Sequence, residues 1–159
     1  LARRTPDARV IAFEMEEKGR ALLDEMARIN GVADRVQIRG KCEVQDLQEV
    51  LAAAEHCLVV CDVEGYEDPL LRPDLVPALK HAHVLVEVHD FIVPGITESI
   101  KARFSDTHEC REIWQEPRHR SDLPCRSLGT ALLPKSYLDW AVSEWRPVRM
   151  NWLWLEPKS

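Results

Sequence analysis

Glycine is scarce in this chain of 159 residues. There are six, and no two are separated by a single residue, so no GxG turn exists. A backbone that brings its N–H groups against a cofactor needs such glycines. No apolar run is long enough to span a bilayer, which argues against an integral membrane protein. No signal peptide is visible; the chain opens on Leu1 rather than Met, and its natural start is expected upstream. The five cysteines, at 42, 57, 61, 110 and 125, form no CxxC pair and no paired zinc spacing. Cys57 and Cys61 flank an apolar run and read as small buried hydrophobes. This usage suggests a reducing, cytoplasmic setting. Clustered basic charge is also missing. Arg118 and Arg120, with His119 between them, form the sole cluster, and the net charge is -6. Nucleic acid and membrane are therefore not expected as partners.

What is present is ordinary globular material, 45% hydrophobic and 30% charged. The length suits one domain spanning 1–159. Short β-rich runs alternate with helical stretches. Strands are expected at 9–14 (RVIAFE), 35–39 (RVQIR), 57–62 (CLVVCD) and 83–88 (HVLVEV). The third is apolar throughout, which implies burial on both faces. Helices are expected over 16–30, with Ala21, Leu22, Met26 and Ile29 on one face, and over 44–54, with Val44, Leu47, Val50 and Leu51 on one face. Further helices are expected at 74–81 and 95–103. The last third changes character, with strands at 108–115 and 150–155, a helix at 136–145 and a loop-rich stretch at 118–134. The alternation means an α/β fold with a mostly parallel sheet.

In an open parallel sheet, ligands bind beyond the carboxyl ends of the strands. Glu14 ends the first strand. Its carboxylate could accept hydrogen bonds from a ribose diol, or it could be a solvated acid favoured by the next helix dipole. Met15 follows and could pack on an adenine, although a core methionine is the simpler reading. The most specific segment is 62–67, Asp62-Val63-Glu64-Gly65-Tyr66-Glu67. Gly65 permits a turn that other residues resist. Carboxylates crowded there repel unless a cation or hydrogen-bond donors offset them.

AFEM at 12–15, NGVADRV at 30–36, DVEGYE at 62–67 and VEVHDF at 86–91 occur in the order seen in FkbM-like methyltransferases. The chain resembles that family over roughly residues 7–103. The resemblance implies a Rossmann-like sheet of seven strands whose final strand is antiparallel, with S-adenosylmethionine as cofactor. It implies that Glu14 holds the ribose, that Cys42 and Glu43 lie near the adenine, and that Asp62 lies near the methionine part and the substrate; Val63 is a further cofactor-binding candidate. Lys41 reads as a surface residue. The family's first strand and glycine-rich loop have no counterpart here and are expected upstream of Leu1. That strand lies mid-sheet in the family, between the strands at 9–14 and 57–62. Its absence would leave two unpaired edges.

Methyl transfer to oxygen needs a positioned nucleophile and a route for the hydroxyl proton. His89, with Asp90 beside it, is the candidate base, and a histidine that merely bonds the backbone is the competing reading. Asp62 joins it as a catalytic candidate, while Glu64, Asp90 and His108 are candidates for binding a small-molecule acceptor. Asp62, Glu64, Glu87, His89 and Asp90 carry ligand types suited to magnesium or manganese. Neighbours on a strand point to opposite faces, so only a subset can converge, and no metal is assigned. The tryptophans at 114, 140, 145, 152 and 154 read as packing residues. The acceptor pocket is expected from 91–110 and 118–135. The leading function is O-methyl transfer to a sugar or natural product. A non-catalytic interaction module and a nicotinamide-dependent oxidoreductase are the alternatives, and the latter gives no reason for DVEGYE.

Overall fold

A computed structural model describes residues 1–123, 127–143 and 148–158. Cys125 and Trp145 lie outside that set. Strand β1 (Val10–Phe13) leads through helix α1 (Glu17–Ile29) to β2 (Val36–Arg39), and helix α2 (Val44–Ala52) leads to β3 (Leu58–Cys61). A short helix α3 (Glu67–Leu70) and a 3-10 turn (Pro77–His81) precede β4 (His83–Val88). Helix α4 (Ile96–Phe104), β5 (His108–Trp114), the short helix α5 (Leu128–Ala131), helix α6 (Lys135–Val142) and β6 (Asn151–Pro157) complete the order.

Among the described residues the six strands form two sheets. β1 and β2 pair in parallel. The other sheet runs β3-β4-β6-β5, with β3 and β4 parallel and β6 antiparallel to both its neighbours. The parallel sheet with an antiparallel last strand is thus present, but divided. β1 and β3 each stand at the end of their sheet's order.

Period-two burial explains the larger sheet. Val84, Val86 and Val88 of β4 and Leu153 and Leu155 of β6 share one face and are almost fully buried. Leu79, Ile96, Ile100 and Phe104 join them in the same cluster, together with Leu47 and Leu51 of α2. Arg103 ties α4 to α3: its guanidinium donates to the carbonyls of Asp68 and Leu71, both at 2.8 Å, and to the Asp68 carboxylate at 2.6 Å. A second, much smaller cluster holds Ala2, Ala27 and Val32. There Arg35 donates to the carbonyls of Ala2, Thr5 and Ala8, fixing the N-terminal segment against the start of β2.

Several expectations fail for identifiable reasons. β3 is not buried on both faces: Leu58 is 46% and Val60 50% exposed. The register sets them beside His83 and Leu85, on the face opposite the main core. Leu22, Met26 and Ile29 of α1 are exposed, and Ala27 is the buried residue of that helix. Periodicity located the helix but not the face that finds a neighbour. Residues 74–76 are not helical, and only the 3-10 turn from Pro77 remains of that segment. Pro73 and Pro77, lacking an N–H, oppose a longer helix. Met15 is exposed rather than a core residue, and Trp114 and Trp140 are exposed as well.

Candidate functional site around His89

The carboxyl ends of β3 and β4 build the site. Asp62 follows Cys61, which pairs with Val86. Asp62 is the first residue after β3 and His89 the first after β4, with Glu87 just inside β4. One ligand atom from each of Asp62, Glu87 and His89 lies within 4.8 Å of the others. Of the five candidates, these three converge.

The segment 62–67 turns sharply to serve this centre. Glu64 has φ 49 and Gly65 has φ 98. A Cβ on Gly65 would stand 2.9 Å from the Ile92 side chain, so both conformation and space demand glycine. The turn carries Glu67 back under the loop, where it starts α3 and is 0% exposed. Its Oε1 accepts the Gly65 N–H at 3.2 Å and meets His89 Nδ1 at 2.5 Å. With the ring proton on Nδ1, the imidazole donates and the carboxylate accepts. That leaves the Nε2 lone pair facing Glu64 at 3.4 Å and Asp62 at 3.7 Å. His89 is 1% exposed, and its Nε2 makes no hydrogen bond.

Beside this centre, β2 ends in a second group of polar residues. Glu43 is the N-cap of α2, and its backbone N–H donates to the Asp46 carboxylate at 2.9 Å. It also holds Lys41 at 2.6 Å and the Tyr66 hydroxyl at 3.2 Å, and Lys41 lies over the Tyr66 ring at 4.6 Å. Lys41 thus lowers the Glu43 carboxyl pKa, chiefly through its hydrogen bond. Tyr66 links the ends of β2 and β3 in this way. Burial pushes the Cys42 thiol up to about 11 and Cys61 up to about 12. Neither is a nucleophile at neutral pH.

The other expected residues divide. Glu14 is half-buried at the end of β1, and its Oε1 accepts the Glu16 N–H at 2.7 Å. Gly19 leaves room for that side chain, since a Cβ there would sit 2.7 Å from it. Val63 packs against the main core. Asp90 accepts the Gly95 N–H at 3.0 Å and the Thr97 hydroxyl, so its carboxylate organises the start of α4. His108 requires a correction. It begins β5 and bonds the carbonyl of Ala82, just before β4, at 2.9 Å. It therefore lies at the amino edge of the sheet, a full strand length from His89, and cannot bind an acceptor there. Glu67 is not among the residues expected at the site, and Glu87 enters the expectation only as one of five potential metal-ligand types. The only signal for Glu67 was its place in DVEGYE, because an acid in a loop is ordinarily solvated.

A cavity of about 370 Å³ opens beside Glu87, walled by Ile113, Trp114, Met150 and Trp152. A second is lined by Arg118, His119, Leu123 and Ser127 of the expected 118–135 stretch together with Leu138 of α6.

No family model matches the chain, and no curated protein does. Among solved structures it is similar to a domain described as that of a precorrin-6Y C5,15-methyltransferase from Corynebacterium diphtheriae. The TM-score is 0.51 at 15% identity, over 98% of this chain and 77% of that one. The chain has a methyltransferase-like α/β fold. The likeness extends to the fold and does not reach the FkbM-like subclass. Among the described residues, no helix is long and apolar enough to cross a membrane.

Proposed function

We propose that the protein is an S-adenosylmethionine-dependent methyltransferase acting on oxygen of a small hydroxylated acceptor, in the manner of FkbM-like enzymes. The observation that carries this reading is a carboxyl strand edge bearing Glu14, Glu43, Asp62 and His89 within a methyltransferase-like fold. The residues present fit the nucleoside side of the cofactor. A half-buried carboxylate ends β1, as a ribose diol requires, and Cys42 and Met15 offer apolar and polarisable flanks for an adenine. Asp62, beside Val63, would take the ammonium of the methionine part. When bound, the cofactor supplies an electrophilic methyl on sulfur.

The acceptor would enter through the cavity beside Glu87, where Trp114 and Trp152 provide aromatic walls for a sugar or a ring system. Removal of the acceptor proton falls to Nε2 of His89. Glu67 holds the ring in the tautomer with that nitrogen free, as the orienting carboxylate does in a catalytic triad.

Calorimetry with S-adenosylmethionine, S-adenosylhomocysteine and NAD tests the reading. Binding of the two sulfur compounds and not NAD is expected. Binding of NAD alone, or of none of them, would overturn it.

A further inference from the structure

We infer that the His89 centre is a divalent-cation site, with Nε2 of His89 and the carboxylates of Asp62 and Glu87 as ligands. The Nδ1–H of His89 is committed to Glu67 at 2.5 Å, so Nε2 presents a lone pair. The groups nearest that lone pair are carboxylate oxygens of Glu64, at 3.4 Å, and Asp62, at 3.7 Å. These are acceptors facing an acceptor. Nε2 is nonetheless completely buried and has no hydrogen bond. A buried polar atom in that position calls for a partner with positive charge.

The carboxylate behind the ring points the same way. A metal-binding imidazole characteristically donates its other N–H to a carboxylate, which fixes the tautomer and raises ligand basicity. Glu67 does this here, and it is itself buried and held by the Gly65 N–H. Ligand atoms of Asp62, Glu87 and His89 within 4.8 Å of one another leave a short closure to make. Bonds of about 2.0–2.2 Å place cis ligands roughly 3 Å apart. Asp62, half exposed, has the freedom to close that distance.

The donor set selects the ion. One imidazole and two carboxylates suit a first-row cation such as Mn²⁺ or Zn²⁺, and calcium, which takes six to eight oxygens, is disfavoured. Three protein ligands leave positions open for water or an acceptor oxygen. That use in methyl transfer rests on the function proposed above, whereas the site itself does not. A bound cation would polarise the acceptor oxygen, and the hydroxyl proton would then pass to the exposed Glu64 carboxylate beside Nε2, because His89 as a ligand has no lone pair left to take it.

Protein freed of metal by chelator dialysis should be titrated with Mn²⁺, free ion being followed by electron paramagnetic resonance, and separately with Zn²⁺ against a chromogenic chelator. One ion per chain is expected, with ¹⁴N coupling to Mn²⁺ in the spin-echo spectrum. His89→Ala should abolish that coupling and weaken binding at least tenfold. Glu67→Gln should weaken it about 10–100-fold. Asp62→Asn changes an exposed side chain, so it tests the site without threatening the fold, and a tenfold loss or more is expected. Glu109→Gln, on β5, should change nothing. No stoichiometric ion, binding without ¹⁴N coupling, or binding indifferent to Asp62→Asn would each overturn the proposal. Failure here leaves the cofactor calorimetry unaffected, so the two readings fall separately.

Discussion

Replacing Gly65 by alanine tests the turn on which the His89 centre is built. Two costs add. Gly65 has φ 98, where a residue with a Cβ is strained by about 1–3 kcal/mol. The new methyl would also meet Ile92 Cγ2 at 2.9 Å, well inside the ordinary contact of about 3.5–4.0 Å. Overpacking of this kind costs about 1–3 kcal/mol, and the lower end applies because Ile92 is 43% exposed and can yield. Reduced freedom of the unfolded chain returns about 0.4–1 kcal/mol. The net loss is about 1–3.5 kcal/mol, or roughly 2–14 °C in Tm for a chain of this size. Gly31→Ala supplies the control. Gly31 has φ 65 with nothing within 4 Å of a built Cβ. Only the left-handed backbone cost of about 1–2 kcal/mol then opposes the same entropic return. Urea unfolding of both variants, with slopes compared, measures the difference. Equal losses, or a Gly65→Ala loss below about 0.5 kcal/mol, would refute the claim that space as well as φ demands glycine.

Four further outcomes are expected. Arg103→Ala should destabilise by about 2–3 kcal/mol in urea unfolding, since it strips three charge-assisted bonds from the α3–α4 contact, and Arg103→Lys should restore little because an ammonium lacks the fork. Leu153→Ala, at a fully buried site, should cost about 2–5 kcal/mol in the same assay, while Leu22→Ala on the exposed face of α1 should stay within about 0.5 kcal/mol. Burial lowers the His108 pKa below its ordinary 6.5, so the unfolded chain binds the proton more tightly. The stability tied to its neutral form is therefore complete above pH 6.5 and is lost as pH falls from there through the lowered folded value. His108→Gln should flatten that slope in unfolding curves taken across the window. Glu14→Ala should weaken S-adenosylmethionine binding by about 1–3 kcal/mol in calorimetry, and unchanged affinity would remove Glu14 from the site.

The local pattern of the sequence located the elements well and their neighbours poorly. β4 is legible to the residue because HVLVEV combines β-branched side chains with flanking breaks, and α2 shows its buried face through Leu47 and Leu51. The face of α1 was misread, because periodicity reports an apolar stripe and not whether anything covers it. His108 was misplaced for a related reason: a strand's chemistry is visible in the residues, but its direction within the sheet is not. Glu67 is the instructive case. Its burial depends on the turn at Gly65 and on a histidine 22 residues further along, a pairing that no local pattern encodes.

The two hydrophobic clusters have an unequal claim on the fold's rigidity. The larger anchors β3, β4 and β6, whereas the smaller, beneath α1 and β2, has three buried residues of modest size. Local opening free energy follows buried apolar contact. Amides of β1 and β2 should therefore exchange with solvent well before those of β4. Glu14 rides on the readily opened unit, and Asp62 and His89 ride on the rigid one. A ligand spanning both would couple them, and its binding would be felt most strongly as slowed exchange in β1 rather than at the centre where the chemistry is proposed.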